Sequence, residues 1–114
     1  LLEWEDRLGC VTITYNAALQ RYLMCITAGL RRGRYDSMIL EAPDITGEWR
    51  MVQYLPQFGP MAYFLNFPSK FISADGRTAW LCYSANWHDK SHAGDPIGSQ
   101  YAMSLQEVRF EADV

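Results

Sequence analysis

The chain has 114 residues, of which 49% are hydrophobic, 14% aromatic and 20% charged, so its composition is that of an ordinary globular domain. Disorder, a collagen-like repeat and a basic nucleic-acid-coating tail are excluded. Lys and Arg number 10 against 13 Asp and Glu, a formal charge of -3 that sets up no field for a polyanion, so neither nucleic acid nor an acidic membrane is an expected partner.

No apolar run approaches the roughly 20 residues that a membrane-spanning helix needs. The sequence starts at Leu1 with neither Met nor a leader-like pattern, and we expect it to be a piece of a longer protein. Residues 1–8 form a leading segment that fits either a short helical turn or the tail of a preceding element.

From there the apolar residues come in short runs rich in Val, Ile, Thr, Tyr, Phe and Trp, bounded by Gly, Pro, Asn and Asp. That is the strand signature, and the chain reads as all-β. Strands are expected at Val11–Tyr15, Tyr22–Thr27, Ser37–Glu41, Trp49–Leu55, Lys70–Ser73, Ala79–Ala85 and Tyr101–Phe110. Turn signals separate them at Asn16-Ala17-Ala18, Arg32-Gly33-Arg34, Thr46-Gly47, Phe58-Gly59-Pro60 and Ala74-Asp75-Gly76. The Asp-Gly pair is the strongest, because it readily supplies the positive φ of a tight hairpin.

The hairpins repeat. Aligned on Cys25 and Cys82, a separation of 57 residues, Leu23 matches Trp80 and Thr27 matches Ser84 on one face, while Met24 matches Leu81 and Ile26 matches Tyr83 on the other. Each copy continues to a third strand, Ser37–Leu40 and then Ala102–Leu105. Tyr22–Ile26 and Ala79–Tyr83 are apolar at every position, which calls for cover on both faces. Trp49–Leu55, with Arg50 and Gln53, suits an outer edge. A repeat of this length with three or four strands per copy is the pattern of propeller blades. The expected architecture is two consecutive antiparallel blade-like repeats, residues 9–56 with four strands and residues 57–114 with three, belonging to a larger propeller, five-bladed if the resemblance described next holds, or completed by oligomerisation.

Trp49-Arg50-Met51-Val52-Gln53-Tyr54, then Asn66 to Arg77, then Trp80-Leu81-Cys82-Tyr83-Ser84 resemble the closing blades of five-bladed propeller proteins related to glycoside hydrolases. The resemblance runs from about Gly9 to Phe110 and is moderately specific, since the order is characteristic and each hairpin alone is common. It implies a carbohydrate ligand at a polar axial pocket. It also implies that the acidic catalytic residues belong to earlier blades, which this chain does not contain. Glycosidic hydrolysis needs two carboxyl groups about 5 to 10 Å apart, and Glu41, Asp44, Glu48, Asp75, Asp89 and Asp95 form no recognisable pair. A complete catalytic set is therefore not expected here.

The candidate ligand-binding residues are Asn66, Ser69, Lys70, Trp87 and His88. Asn66, Ser69 and Lys70 stand at the start of an inner strand, where they either reach sugar hydroxyls or satisfy backbone groups around Pro68 and meet solvent. Trp87 and His88 lie in the loop Ala85–Pro96, where Trp87 either stacks on a sugar or tucks against the blade. His88 and His92 have metal-ligand spacing for a helix, but Gly94 and Pro96 mark an irregular loop, so no metal and no cofactor is expected. Cys10, Cys25 and Cys82 form no paired motif and read as small core hydrophobes. Arg31-Arg32-Gly33-Arg34 reads as a turn whose charges balance nearby Asp36 and Glu41 or stay hydrated, rather than as a phosphate site. The competing reading of the whole is a self-standing small β-domain that acts as a binding or interaction module and hides its apolar faces in an oligomer, with missing propeller blades or further copies of the chain as the partners.

Overall fold

The computed structural model describes residues 7–31, 34–58, 62–85 and 102–111. Among them the elements are β1 (Arg7–Asn16), β2 (Arg21–Arg31), β3 (Arg34–Ala42), β4 (Arg50–Leu55), β5 (Tyr63–Asn66), a 3-10 turn (Ser69–Phe71), β6 (Thr78–Ala85) and β7 (Ala102–Arg109). All neighbouring strands are antiparallel, in a four-stranded sheet ordered β1-β2-β3-β4 and a three-stranded sheet ordered β5-β6-β7. The all-β expectation and the four-plus-three division hold; neither described sheet closes on itself.

The repeat is realised pair by pair, at a separation of 57 residues around the hairpin turns and along β2 and β6, and of 54 along the bulged part of β1 and β5. Asn16 pairs with Arg21 around a four-residue turn, and Ser73 donates its N–H to the Thr78 carbonyl at 2.8 Å around another. Tyr15 opposite Tyr22 is matched by Ile72 opposite Ala79. Thr12 opposite Cys25 is matched by Asn66 opposite Cys82, and Gly9 opposite Thr27 by Tyr63 opposite Ser84. Between the last two pairs each sheet carries a bulge, and each bulge holds a non-glycine residue at positive φ, Cys10 at 52° and Phe64 at 54°. A bulge absorbs one extra residue and sharpens the local twist, so both inner strands bend at the same place.

One expected strand is corrected. Lys70–Ser73 is not a strand: Ser69–Phe71 is a 3-10 turn, and only Ile72 bridges to β6. The strand that occupies the edge is β5, four residues that carried too short a pattern to stand out. The ladder breaks after Asn66 because Pro68 has no N–H to donate, and the chain closes tightly instead, with Phe71 N–H on the Pro68 carbonyl at 2.9 Å.

Matching positions define a front and a back for each sheet. The front carries Leu23, Cys25 and Ile39 in the first sheet and Trp80, Cys82 and Leu105 in the second; the back carries Met24 and Ile26 in the first and Leu81 and Tyr83 in the second. The front of the first sheet packs on the back of the second, and Leu23, Cys25 and Ile39 share one core with Leu65, Phe67, Ala79, Leu81 and Ala85. Burying each such aliphatic side chain is worth about 1.5–3 kcal/mol, enough to hold the two sheets together. A second cluster, Ile26, Ala28, Met38 and Leu40, is buried on the back of the first sheet with Leu8, Met24 and Trp49 against it.

The two apolar strands thus have different fates. Strand β2 is covered on its front and, from Ile26 on, on its back, where Tyr22 and Met24 stay half-buried, whereas among the described residues β6 is covered on its back alone, leaving Trp80 exposed and Cys82 only half-buried. Cys25 is fully buried; the expectation that Cys82 would be too fails because nothing described packs on the front of its sheet. Strand β4 is an edge strand, exposed along nearly its whole length, as Arg50 and Gln53 suggested.

Candidate functional site

Strands β1 and β5 are the inner edges of their sheets, and side-chain hydroxyls of β1 join them. Thr12 Oγ1 donates to the Leu65 carbonyl at 2.5 Å and Thr14 Oγ1 to Asn66 Oδ1 at 3.4 Å. One turn further on, Asn16 Nδ2 donates to the Gly76 carbonyl at 2.8 Å, and Asn16 Oδ1 accepts the Leu19 N–H at 3.3 Å. The alternation of a strand makes this possible, since Thr12, Thr14 and Asn16 fall on one face and Val11, Ile13 and Tyr15 on the other.

Where the two edges meet they leave a cleft of about 520 Å3. Ile13, Thr14 and Tyr15 form one wall and Asn66 to Lys70 the other. The 3-10 turn builds the second wall: Phe67 is buried and packs edge-on against Phe110, at 5.4 Å between ring centroids, so Pro68, Ser69 and Lys70 are held at the rim. Three of the five sequence candidates, Asn66, Ser69 and Lys70, are therefore brought together. Trp87 and His88 lie outside the described residues, as do His92, Asp89 and Asp95.

Ile13, Thr14 and Tyr15 are the cleft-lining residues of β1 that sequence reasoning missed, because in a strand pattern they count only as alternation. The pairing of Thr14 with Asn66 joins residues 52 apart. Tyr15 is 45% exposed and packs against Tyr22 at 4.7 Å between ring centroids, which steadies an aromatic surface at the cleft mouth. The walls thus combine aromatic and aliphatic surface from Ile13, Tyr15, Phe67 and Pro68 with donors and acceptors from Thr14, Asn66, Ser69 and Lys70.

No described residue lining the cleft is a carboxylate. The candidate acids in the described part are engaged elsewhere or sit in turns. Glu41 is paired with Arg50 at 2.6 Å. The Asp44 carboxylate accepts the Thr46 N–H and hydroxyl, each at 2.9 Å, and these bonds hold it below the usual carboxylate range. Asp75 is held low by the Ser73 hydroxyl first and the Arg77 N–H second, which confirms its turn role. Glu48 is exposed. No group of three or more His, Cys, Asp or Glu among the described residues is placed to hold a metal.

A second groove of about 660 Å3 opens between the hairpin ends and β4, with Arg21, Arg77 and Arg109 on its walls beside the Arg50–Glu41 pair. Arg21 donates to the Gln20 carbonyl at 3.0 Å and Arg109 faces Glu107 at 3.6 Å. Cys25 is chemically quiet, because burial pushes its thiol up to about 12 against a weaker opposing contact from the Thr12 hydroxyl. Comparison with protein-family models, with curated proteins and with solved structures gives no match for this chain.

Proposed function

We propose that the chain is the two-blade, C-terminal part of a glycoside-hydrolase-like propeller and binds carbohydrate in the β1–β5 cleft without itself carrying a complete catalytic set. The observation that carries this reading is the gathering of Asn66, Ser69 and Lys70 beside the exposed ring of Tyr15. Sugars present a ring of hydroxyls around apolar C–H faces, so they are held by a mixture of amide, hydroxyl and ammonium groups with an aromatic surface. A cleft with no carboxylate among its described lining residues suits binding rather than hydrolysis, which needs a protonated and an ionised carboxyl group across the scissile bond. The repeated sheets, stacked front on back with their inner edges side by side, support the blade reading.

Titration of the 114-residue chain with a panel of neutral and acidic mono- and oligosaccharides, followed by amide chemical shifts, tests the proposal. Saccharide binding should perturb Thr14, Tyr15, Asn66, Ser69 and Lys70 together. Tyr15→Ala and Asn66→Ala should each weaken it by about tenfold, the order of one lost ring contact or hydrogen bond. Absence of binding across the panel, or binding that both variants leave unchanged, would sink the reading.

A further inference from the structure

Among the described residues the sandwich leaves two apolar faces open, and they are opposite in kind. On the front of the second sheet Trp80 is 41% exposed, Leu105 44% and Met103 71%. On the back of the first sheet Val11 is 53% exposed, Ile13 43% and Tyr15 45%, with half-buried Tyr22 and Met24 beside them on β2. Scattered apolar residues on a surface mean little, but contiguous patches of this kind mark interfaces.

The interface inside the chain shows what covers each type of face. The front of the first sheet, through Leu23 and Cys25, is covered by the back of the second, through Ala79 and Leu81. Trp80 and Cys82 are the 57-residue counterparts of Leu23 and Cys25, so the open front is a second copy of a surface whose partner is already known to be a back. The open back is likewise the counterpart of the surface that does the covering. Ile26, Ala28, Met38 and Leu40 are already buried on that back, which confines docking to its β1 side.

We propose that the front of the second sheet docks onto the β1 side of the first sheet's back in a second copy of this chain, repeating between chains the front-on-back contact made within one. The contact is heterologous: a front meets a back, and an open string of copies keeps one free front at one end and one free back at the other until a ring closes. This inference does not rest on the sugar reading, but Ile13 and Tyr15 line both surfaces; saccharide titration of the Trp80→Glu chain, altered outside the cleft, separates failure of one from failure of the other.

Mixing two one-sided variants tests it by sedimentation velocity. The parent chain should self-associate in a concentration-dependent way. Trp80→Glu, blocked at the front, and Ile13→Glu, blocked at the back, should each sediment as a monomer and keep the parent's far-ultraviolet circular dichroism. Mixed in equal amounts, they should form a two-chain species and nothing larger, because one intact front finds one intact back and the other two faces are blocked. Met103→Glu with Val11→Glu, at still more exposed positions, should reproduce the pattern if either first variant unfolds. A monomeric parent, an Ile13→Glu chain that still self-associates like the parent, or a mixture that stays monomeric would each overturn the proposal, the second by showing front-to-front contact.

Discussion

Asn16 is the residue at which the two hairpins meet. It is fully buried, and its amide serves the Gly76 carbonyl of one turn and the Leu19 N–H of its own. Gly76, at φ 74°, leaves room for it, since a Cβ there would press on Asn16 Oδ1. Asn16→Ala should therefore cost about 1–3 kcal/mol in urea denaturation, the penalty for stranding buried polar groups. Thr27 and Ser37 are the contrast. They are cross-strand neighbours whose buried hydroxyls have no partner among the described residues. Thr27→Val, nearly equal in volume, should leave stability unchanged or raise it. Cys25 gives a third expectation at this scale. Its thiol is raised from about 9 to about 12 by burial, so the folded state holds a proton that the unfolded state releases. Stability should be unaffected below about pH 9 and fall as pH rises from there towards 12. In native protein at pH 8, Cys25 should resist a thiol reagent that labels it in urea.

At the scale of elements, the decisive piece is the segment between β5 and Ile72. Asn66 and Ile72 both pair with β6, opposite Cys82 and Ala79, and the longer segment between them has to leave the ladder. Pro68 forces that departure and Phe67 anchors it, so the rim of the cleft is a consequence of one buried ring. Phe67→Ala should destabilise the protein by about 3–5 kcal/mol and abolish saccharide shifts at Ser69 and Lys70, while Ser69→Ala should affect binding alone. The bulges at Cys10 and Phe64 belong to the same scale. A non-glycine residue at positive φ costs about 1–2 kcal/mol, and both inner strands accept this at matching positions, where the bend brings the two edges side by side.

At the scale of the molecule, the two sheets share a single core, so neither is expected to melt alone. Leu81→Ala, at the centre of the contact, should cost about 2–5 kcal/mol. Amide exchange should then accelerate in β2 and β6 together, in one cooperative transition; independent loss of β6 protection would show that the sheets are separate folding units. The shared core also accounts for the asymmetry of the repeat. Equivalent residues differ in burial, Cys25 closed and Cys82 half-open, because the stacking covers the front of the first sheet and the back, not the front, of the second.

Strand class, the turns at Asn16, Thr46 and Asp75 and the repeat were legible in the residues, because a strand's alternation and a turn's need for Asn, Asp or Gly act over a few positions and leave a local mark; the expected turns Arg32-Gly33-Arg34 and Phe58-Gly59-Pro60 fall largely outside the described residues. Asn16 and Asp75 announced their turns, and the Cys25–Cys82 alignment matched the two middle strands, β2 and β6, face for face. The four residues of β5 left no such mark, and Lys70–Ser73 read as the strand beside them because only the ladder partner on β6 distinguishes one extended segment from the next. The cleft was half legible: Asn66, Ser69 and Lys70 are neighbours in sequence, whereas Ile13, Thr14 and Tyr15 join them only across the β1–β5 junction. Which apolar faces are closed and which remain open was decided by tertiary packing alone, since composition dictates that a face needs cover and only the stacking of one sheet on another determines which face receives it.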